Sequence, residues 1–169
     1  MKTRQISMDA VLAAMCAVLG AVSLELGNFK ISFESLPVMI GALLFGPLDG
    51  FLIGGIGTLI YQLLRYGFSV TTLLWIAPYA ICGLLMGIYA KKNGFSLSNK
   101  QTALAVSLGC VLIFILNTGV MYVDSIVYQY YSAVYIFGSL PLRVVICIVK
   151  AVAFSAVMPV LMKAAKKVI

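Results

Sequence analysis

The sequence predicts an all-α integral membrane protein, a single domain over residues 1–169 that forms a bundle of six transmembrane helices. Hydrophobic residues make up 63% of the chain and charged residues only 10%, whereas soluble domains carry about 25% charged residues. A membrane-crossing helix needs about 20 apolar residues, so a chain of 169 residues has room for six spans with short loops. The net charge of +7 comes from basic residues near the ends of the apolar segments, which is typical of membrane topology and not of nucleic-acid binding.

Each predicted span ends at a polar or turn-forming stretch. The spans cover residues 8–26, 34–44, 51–64, 71–89, 102–123 and 140–162. Residues 27–33 are predicted as a loop and residues 45–50, which contain Gly and Pro, as a turn. The second and third spans are short for a hydrocarbon core of about 30 Å, so we expect them to be partly buried or joined by a turn within the protein.

The distribution of Lys and Arg predicts the orientation. With six spans and the N-terminus inside, the inner side carries Lys2, Arg4, Lys91, Lys92, Lys100, Lys163, Lys166 and Lys167. The outer side carries only Lys30 and Arg65, with Arg143 near the outer end of the last span. Because cytoplasmic loops hold the excess of basic residues, both termini are predicted to be cytoplasmic.

Two cations lie inside the last apolar segment. Arg143 and Lys150 are seven residues apart, so they share one face of a helix, about two turns from each other. A cation in a membrane helix costs about 2.5–3.5 kcal/mol on insertion scales, and such a residue usually faces a cavity, a counter-charge or a ligand. The pair therefore predicts a site for a polar, anionic small molecule, although Arg143 could instead pair with Asp124 or Glu34.

In this topology cations, amides and aromatic rings gather in the outer half of the bundle. The candidate substrate-binding residues are Asn28, Lys30, Arg65, Tyr66, Trp75, Asn117, Asp124, Tyr128, Arg143 and Lys150. Rings stack on a flat ligand, amides bind its edges and cations pair with carboxylates, so this set suits a planar heteroaromatic molecule with acidic groups.

Each of these residues also has a simpler interpretation. The tyrosines fit an aromatic belt at the membrane interface, Arg65 could extend to the headgroups, and Asn117 could join two helices. Glu34 is interpreted as a cap of the second helix and Asp49 as a turn or N-cap residue.

Several function classes are excluded by missing residues. The chain has no His, which excludes His-based catalytic triads, His zinc sites and His proton relays. It has no G-x-x-x-x-G-K-[ST] motif, so it cannot hydrolyse ATP by that machinery. Its four Cys lie within predicted spans without a C-x-x-C pair and are interpreted as small apolar side chains. No acidic pair is predicted deep in the membrane. We therefore predict neither an enzyme nor a metal or cofactor site.

The first span contains alanines at small-xxx-small spacing, which lets another helix approach closely. They are Ala10, Ala13, Ala14 and Ala17. Packing within the same bundle is the alternative to contact with a partner. The third span has a comparable run, Gly50, Gly54, Gly55 and Gly57, which we interpret as internal close packing.

The run ISFESLPVMIGALLFGPLDG, residues 31–50, has a polar start, a Leu-Pro and a Phe-Gly-Pro turn. With the short-looped helices and the alanines of the first span, it resembles the substrate-binding S components of energy-coupling factor (ECF) vitamin transporters, most closely their folate branch. The resemblance implies a multi-pass protein of a prokaryotic plasma membrane that captures a vitamin from outside under a lid made by the first and third outer loops.

The same resemblance implies partners. The chain would dock on a transmembrane coupling subunit and two cytoplasmic ATPases, through Ala10 and Ala14 or through Ala13 and Ala17, and ATP hydrolysis by the partners would release the ligand inside. Folate, hydroxymethylpyrimidine, pantothenate and a queuosine precursor remain open as ligands. An autonomous small carrier and a structural membrane protein are the other interpretations.

Overall fold

The computed structural model describes residues 3–26, 29–132 and 136–168. Its elements, in chain order, are α1 (Thr3–Ala21), β1 (Leu24–Leu26), β2 (Phe29–Ile31), α2 (Ser35–Phe45), α3 (Pro47–Tyr66), α4 (Thr72–Lys92), α5 (Asn99–Val127) and α6 (Leu140–Val168). Within these ranges five helices are long and apolar enough to cross a membrane: α1, α3, α4, α5 and α6. The predicted helical bundle is thereby confirmed, and the count of six spans stays a prediction.

Helix α2 lies at the centre of the bundle. It has 11 residues, of which eight are buried, and it contacts all five longer helices. A helix of this length spans only about 16 Å, and an apolar residue on any side of it meets another helix. The prediction that the short second span is partly buried is therefore confirmed.

Helix α3 is longer than the predicted third span, residues 51–64, and the predicted turn over residues 45–50 is wrong in its second half. Only Gly46 interrupts the helices, with a φ of 119° that favours glycine. Pro47 then takes the first position of α3, where its missing N–H costs no hydrogen bond and its fixed φ suits a helix. The proline starts the helix instead of ending the previous one.

Glycines bring α3 into backbone contact with its neighbours. A Cβ at Gly83 of α4 would lie 2.1 Å from the Gly50 carbonyl oxygen, and one at Gly54 would lie 2.6 Å from the Tyr79 carbonyl oxygen. On the other side, a Cβ at Gly57 would lie 2.8 Å from the Ala13 carbonyl oxygen of α1. The prediction of close internal packing is confirmed for these three glycines of α3 and wrong for Gly55, around which there is open space.

A short antiparallel hairpin joins α1 to α2. Strand β1 pairs with β2, with Leu24 opposite Ile31 and Leu26 opposite Phe29. The predicted first span, residues 8–26, therefore ends early at Ala21, and the predicted loop of residues 27–33 contains β2. The alternating sequences Leu-Glu-Leu and Phe-Lys-Ile have the period of two that strands require.

The alanines of α1 lie on two different faces. Ala13 and Ala17 are buried, whereas Ala10 and Ala14 are exposed. The exposed alanines share their face with apolar side chains such as Val11. Internal packing therefore accounts for one of the two alanine pairs, and the other is available at the surface of the bundle.

Candidate functional site

A cavity of about 560 Å³ lies between α3, α4, α5, α6 and the segment that leads into α2. Its lining comprises Ser32, Glu34, Ser35, Thr58, Tyr61, Gln62, Tyr66, Ser69, Thr71, Trp75, Tyr79, Cys110, Ile113, Phe114, Asn117, Met121, Asp124, Tyr128, Tyr130, Arg143, Ile146, Cys147 and Lys150. Small-molecule sites are typically 300–1,000 Å³ in volume, largely apolar, with a few convergent polar groups. This cavity has the size and mixed lining of such a site.

The structure brings seven of the ten predicted binding residues together around the cavity. They are Tyr66, Trp75, Asn117, Asp124, Tyr128, Arg143 and Lys150. Arg65 is exposed and is not among the lining residues. Lys30 belongs to β2, and Asn28 lies outside the described residues. A role of any of the ten in ligand binding stays a prediction.

Arg143 and Lys150 form what we call the cationic wall, on the cavity face of α6. An Arg143 N–H donates to Met121 Sδ at 3.3 Å, and the guanidinium carbon lies 5.8 Å from the centre of the Phe114 ring. Lys150 Nζ lies 5.8 Å from the centre of the Phe154 ring. Aromatic rings within about 6 Å attract a cation through their negative faces, so each of the two cations has an aromatic neighbour at the wall.

Asp124 occupies another part of the lining and ties two elements together. The Trp75 indole N–H donates to Asp124 Oδ1 at 3.2 Å, and the Tyr130 hydroxyl donates to Asp124 Oδ2. Each carboxylate oxygen thus accepts a hydrogen bond from an aromatic side chain. The indole of α4 is thereby fixed against α5, with its ring at the cavity.

Glu34 lies in the cavity lining and is only 1% exposed. It stands at the N-cap position of α2, but its side chain makes no capping hydrogen bond, so the interpretation of its carboxylate as a cap is wrong. Glu34 Oε1 instead accepts hydrogen bonds from the Ser32 hydroxyl, at 3.0 Å, and from the Tyr79 hydroxyl. Gly20 of α1 makes room for this carboxylate, because a Cβ there would lie 2.7 Å from Glu34 Oε2.

Asn117 of α5 lies beside the same cluster. Its side-chain amide is within reach of the Tyr79 hydroxyl, and its Oδ1 is buried without a hydrogen-bond partner. We call Glu34, Tyr79 and Asn117 the acceptor end of the cavity. Buried polar groups are nearly always hydrogen-bonded, so an unpartnered amide oxygen in a cavity wall points to a donor supplied by a ligand.

Sequence reasoning missed several lining residues, chiefly Ser32, Ser35, Thr58, Tyr61, Gln62 and Tyr79. Small hydroxyl residues and tyrosines are common inside membrane helices, so their presence alone does not predict a binding site. Glu34 had a signal, because a carboxylate in an apolar chain is costly unless it is hydrogen-bonded. Because it lies just before a helix, a helix cap explained its presence, and its position in the cavity lining was not predicted.

The cysteines fit the prediction that they are small apolar side chains. Cys16, Cys82 and Cys110 are buried, Cys147 is half-buried, and all four are free thiols. In the part of the chain that the structure describes, no group of three or more His, Cys, Asp or Glu side chains is arranged to hold a metal ion.

Fold and site together define a class: a helical membrane protein with an internal cavity of small-molecule size, lined by rings, amides and charges of both signs. The sequence model of one family, described as the S component of the ECF-type riboflavin transporter, matches residues 1–167. The chain belongs to this family, and it is therefore a transporter component and a multi-pass protein of the plasma membrane.

A solved structure has the same fold. The "Crystal structure of FolT bound with folic acid" matches with a TM-score of 0.68 and 22% sequence identity, over 92% of this chain and 91% of that chain. None of the curated proteins that were compared matches the sequence. The resemblance to ECF S components that the run of residues 31–50 carried is confirmed.

Proposed function

We propose that this chain is a high-affinity vitamin-binding S component that takes a folate-like ligand from the outside of the cell. The observation that carries the proposal is the cationic wall, two cations on one helix face that line a cavity of about 560 Å³. A charge inside a membrane helix is retained where it serves a ligand or a partner charge. Carboxylates of the ligand would pair with Arg143 and Lys150, and its flat ring would stack on the aromatic side chains opposite.

The comparisons support a flat heteroaromatic ligand. The family description names riboflavin and the solved structure contains folic acid, and both molecules have a fused-ring system. Folate also carries two carboxylates, which riboflavin lacks, and the cationic wall therefore favours folate. Riboflavin is the second candidate because the family description names it.

The first experiment is calorimetric titration of the purified chain in detergent with folic acid, riboflavin, pantothenate, hydroxymethylpyrimidine, thiamin and a queuosine precursor. We expect one-to-one binding of folic acid. Lys150→Met and Arg143→Met should each weaken it about 10- to 100-fold, since a hydrogen bond to a charged group contributes about 1.5–3 kcal/mol.

Lys163→Met is the matched control, because Lys163 is exposed on the same helix and outside the cavity lining. If riboflavin binds tightly, and neither Lys150→Met nor Arg143→Met changes its affinity, riboflavin is the ligand instead of folate. Failure to bind any vitamin would contradict the proposal.

We further propose a topology of six spans, with α2 as the short second span and both termini in the cytoplasm, which follows the placement of Lys and Arg. The hairpin of β1 and β2, and the connection between α5 and α6, then lie outside, where they would close over the cavity. ATP hydrolysis by two partner ATPases would drive release of the ligand on the inside.

The exposed face of α1 is the proposed docking surface for the transmembrane coupling subunit. Ala10 and Ala14 are four residues apart and exposed, and small residues at this spacing let a partner helix approach closely. Ala13 and Ala17 are buried against the rest of the bundle. The exposed pair therefore fits the docking role.

Co-purification with a coupling subunit and two ATPases tests this surface. Ala14→Trp should abolish the complex and leave ligand binding by the isolated chain intact. Ala156→Trp is the control, because Ala156 is an alanine exposed on another apolar helix, α6. Equal loss of the complex in both variants, or ATP-independent uptake by liposomes that hold this chain alone, would contradict the proposed delivery.

A further inference from the structure

We propose that the acceptor end of the cavity recognises an amino-substituted pyrimidine ring, and that Glu34 is the residue that selects it. This inference rests on the proposed function and narrows its ligand. It assigns the Glu34 carboxylate to the ring edge, and the cationic wall to an acidic group elsewhere on the same molecule.

The position of Glu34 suits hydrogen-bond recognition. The carboxylate lies in the cavity lining and is held from two sides, by Ser32 in the segment before α2 and by Tyr79 of α4. A carboxylate accepts several hydrogen bonds and donates none. Because its orientation is already fixed by these partners, little ordering is needed when a ligand arrives.

Asn117 gives an independent reason to expect donors on the ligand. Its Oδ1 is buried and has no hydrogen-bond partner, and its amide lies beside the Tyr79 hydroxyl. The Tyr79 hydroxyl proton is directed to Glu34. The acceptor end thus presents carboxylate and amide oxygens toward the ring edge, and a ligand edge that bears N–H groups complements it.

The charge balance of the lining agrees with a ligand of two unlike ends. Glu34 and Asp124 are the acidic lining residues, and Arg143 and Lys150 are the basic ones. The two cations project from α6, whereas Glu34 and Tyr79 belong to the α2 and α4 side. Asn117 of α5 lies between the two sides, near Tyr79 and between the two contacts of Arg143 along the helix, Phe114 and Met121. A purely anionic ligand would match one wall only, and a ligand with an acid at one end and an amino-bearing ring at the other would match both.

The candidate ligands fall into two groups according to whether they carry an amino-substituted pyrimidine ring. Folate, hydroxymethylpyrimidine and the queuosine precursors each carry an amino group on a pyrimidine ring or a fused pyrimidine ring. A 2-amino ring with a neighbouring ring N–H offers two parallel donors to the carboxylate and amide oxygens of the acceptor end. Riboflavin has no ring amino group and pantothenate has no ring, so the acceptor end would be poorly paired with either molecule.

A ligand–protein cycle tests the assignment. Folic acid and 2-desaminofolic acid, which has hydrogen in place of the ring amino group, are titrated into the wild-type chain and into Glu34→Gln. We expect the wild-type chain to prefer folic acid roughly 100-fold, because sites built to hydrogen-bond a group reject the analogue that lacks it. In Glu34→Gln, which keeps the side-chain shape, that preference should fall below about fivefold.

Asp124→Asn is the comparison variant, since both Asp124 oxygens already accept hydrogen bonds from Trp75 and Tyr130. It should weaken both ligands to the same extent and preserve the preference. If Glu34→Gln keeps the preference for folic acid, whether or not it weakens both ligands equally, the carboxylate has only a structural role and the assignment is wrong.

The vitamin panel distinguishes failure of this inference from failure of the proposed function. Tight binding of riboflavin or pantothenate, together with no binding of any ligand that has an amino-substituted ring, would overturn the inference. The proposal of a vitamin-binding S component would stand. Tight binding of hydroxymethylpyrimidine or a queuosine precursor in place of folic acid, lost in Glu34→Gln, would support the assignment of Glu34 to the ring edge. It would overturn the assignment of the cationic wall, because neither molecule carries an acidic group. Absence of binding by every vitamin would overturn both.

Discussion

The acidic side chains show how neighbours decide the role of a residue. Glu34 and Asp124 each accept hydrogen bonds from an aromatic side chain at the cavity. Asp9 of α1 and Asp49 of α3 lie together instead, close enough to interact. Both are buried, and both oxygens of Asp9 and Oδ1 of Asp49 have no hydrogen-bond partner. Asp9 is the seventh residue of α1 and Asp49 the third residue of α3, and both helices are long and apolar enough to cross a membrane. The absence of an acidic pair deep in the membrane therefore stays a prediction, and the interpretation of Asp49 as a turn or N-cap residue is wrong, because Gly46 is the N-cap of α3.

Replacement of Asp9 should stabilise the protein. Two buried carboxylates in contact repel each other unless they share a proton, and the amide of Asp9→Asn would supply a donor to Asp49 without a bound proton or an added charge. We expect the free energy of unfolding to rise by about 1 kcal/mol, measured by thermal unfolding in detergent. Asp124→Asn should lower it, because an amide cannot accept both of the hydrogen bonds from Trp75 and Tyr130. A lower stability of Asp9→Asn would mean that the carboxyl group of Asp9 itself stabilises its contact with Asp49, and would contradict the prediction.

Among the helices, the closest packing is that of α3 with α4. Gly50 and Gly83 place the two backbones in contact, and Gly87 of α4 faces the backbone of Pro47, from which its Cβ would be 2.4 Å away. The pair carries Thr58, Trp75 and Tyr79 into the cavity lining. The shape of this part of the cavity therefore depends on the absence of a side chain at these glycines, which lets α3 and α4 approach each other closely.

A methyl group at this contact should destabilise the bundle. Gly83→Ala would place a Cβ 2.1 Å from the Gly50 carbonyl oxygen, and such overpacking typically costs about 1–3 kcal/mol. Gly55→Ala is the control, because a Cβ there meets nothing within 4 Å and alanine has a higher helix propensity. Thermal unfolding should show a lower midpoint for Gly83→Ala and an unchanged or higher one for Gly55→Ala. Equal midpoints would mean that the helices separate without cost.

The sequence predicted the elements better than their ends. Apolar runs located each of the helices α1 to α6, because burial in lipid requires them. Helix α5 begins at Asn99, before the predicted residue 102, because Ser98 and Gln101 form a capping box, a signal that was present in the sequence. The contacts of Glu34 were not predictable in the same way, since its partner Tyr79 is 45 residues away. Such contacts follow from how the helices pack, and no local pattern contains that information.

For the whole molecule, the placement of basic residues leads to a testable orientation. The connection between α3 and α4 should face the outside, and the connection between α4 and α5, which follows Lys91 and Lys92, should face the cytoplasm. Phe68 and Ser96 are exposed residues in these two connections.

Labelling of introduced cysteines checks this orientation. A membrane-impermeant maleimide should label Phe68→Cys in intact cells and Ser96→Cys only after the membrane is permeabilised. The unaltered chain gives the background from its own thiols, three of which are buried. Labelling of Ser96→Cys alone in intact cells would reverse the orientation and move the cavity opening to the cytoplasmic side.

The position of Trp75 has an optical consequence. It is the single tryptophan of the chain, its ring lines the cavity and its N–H is bonded to Asp124. Light absorbed only by indole therefore excites one chromophore, located where the ligand would lie. A heteroaromatic ring in contact with it would quench its emission, whereas binding of a partner to the proposed docking surface of α1 would leave that emission largely unchanged. The native chain thus carries its own site-specific reporter, and capture of a ligand can be followed in real time without a dye.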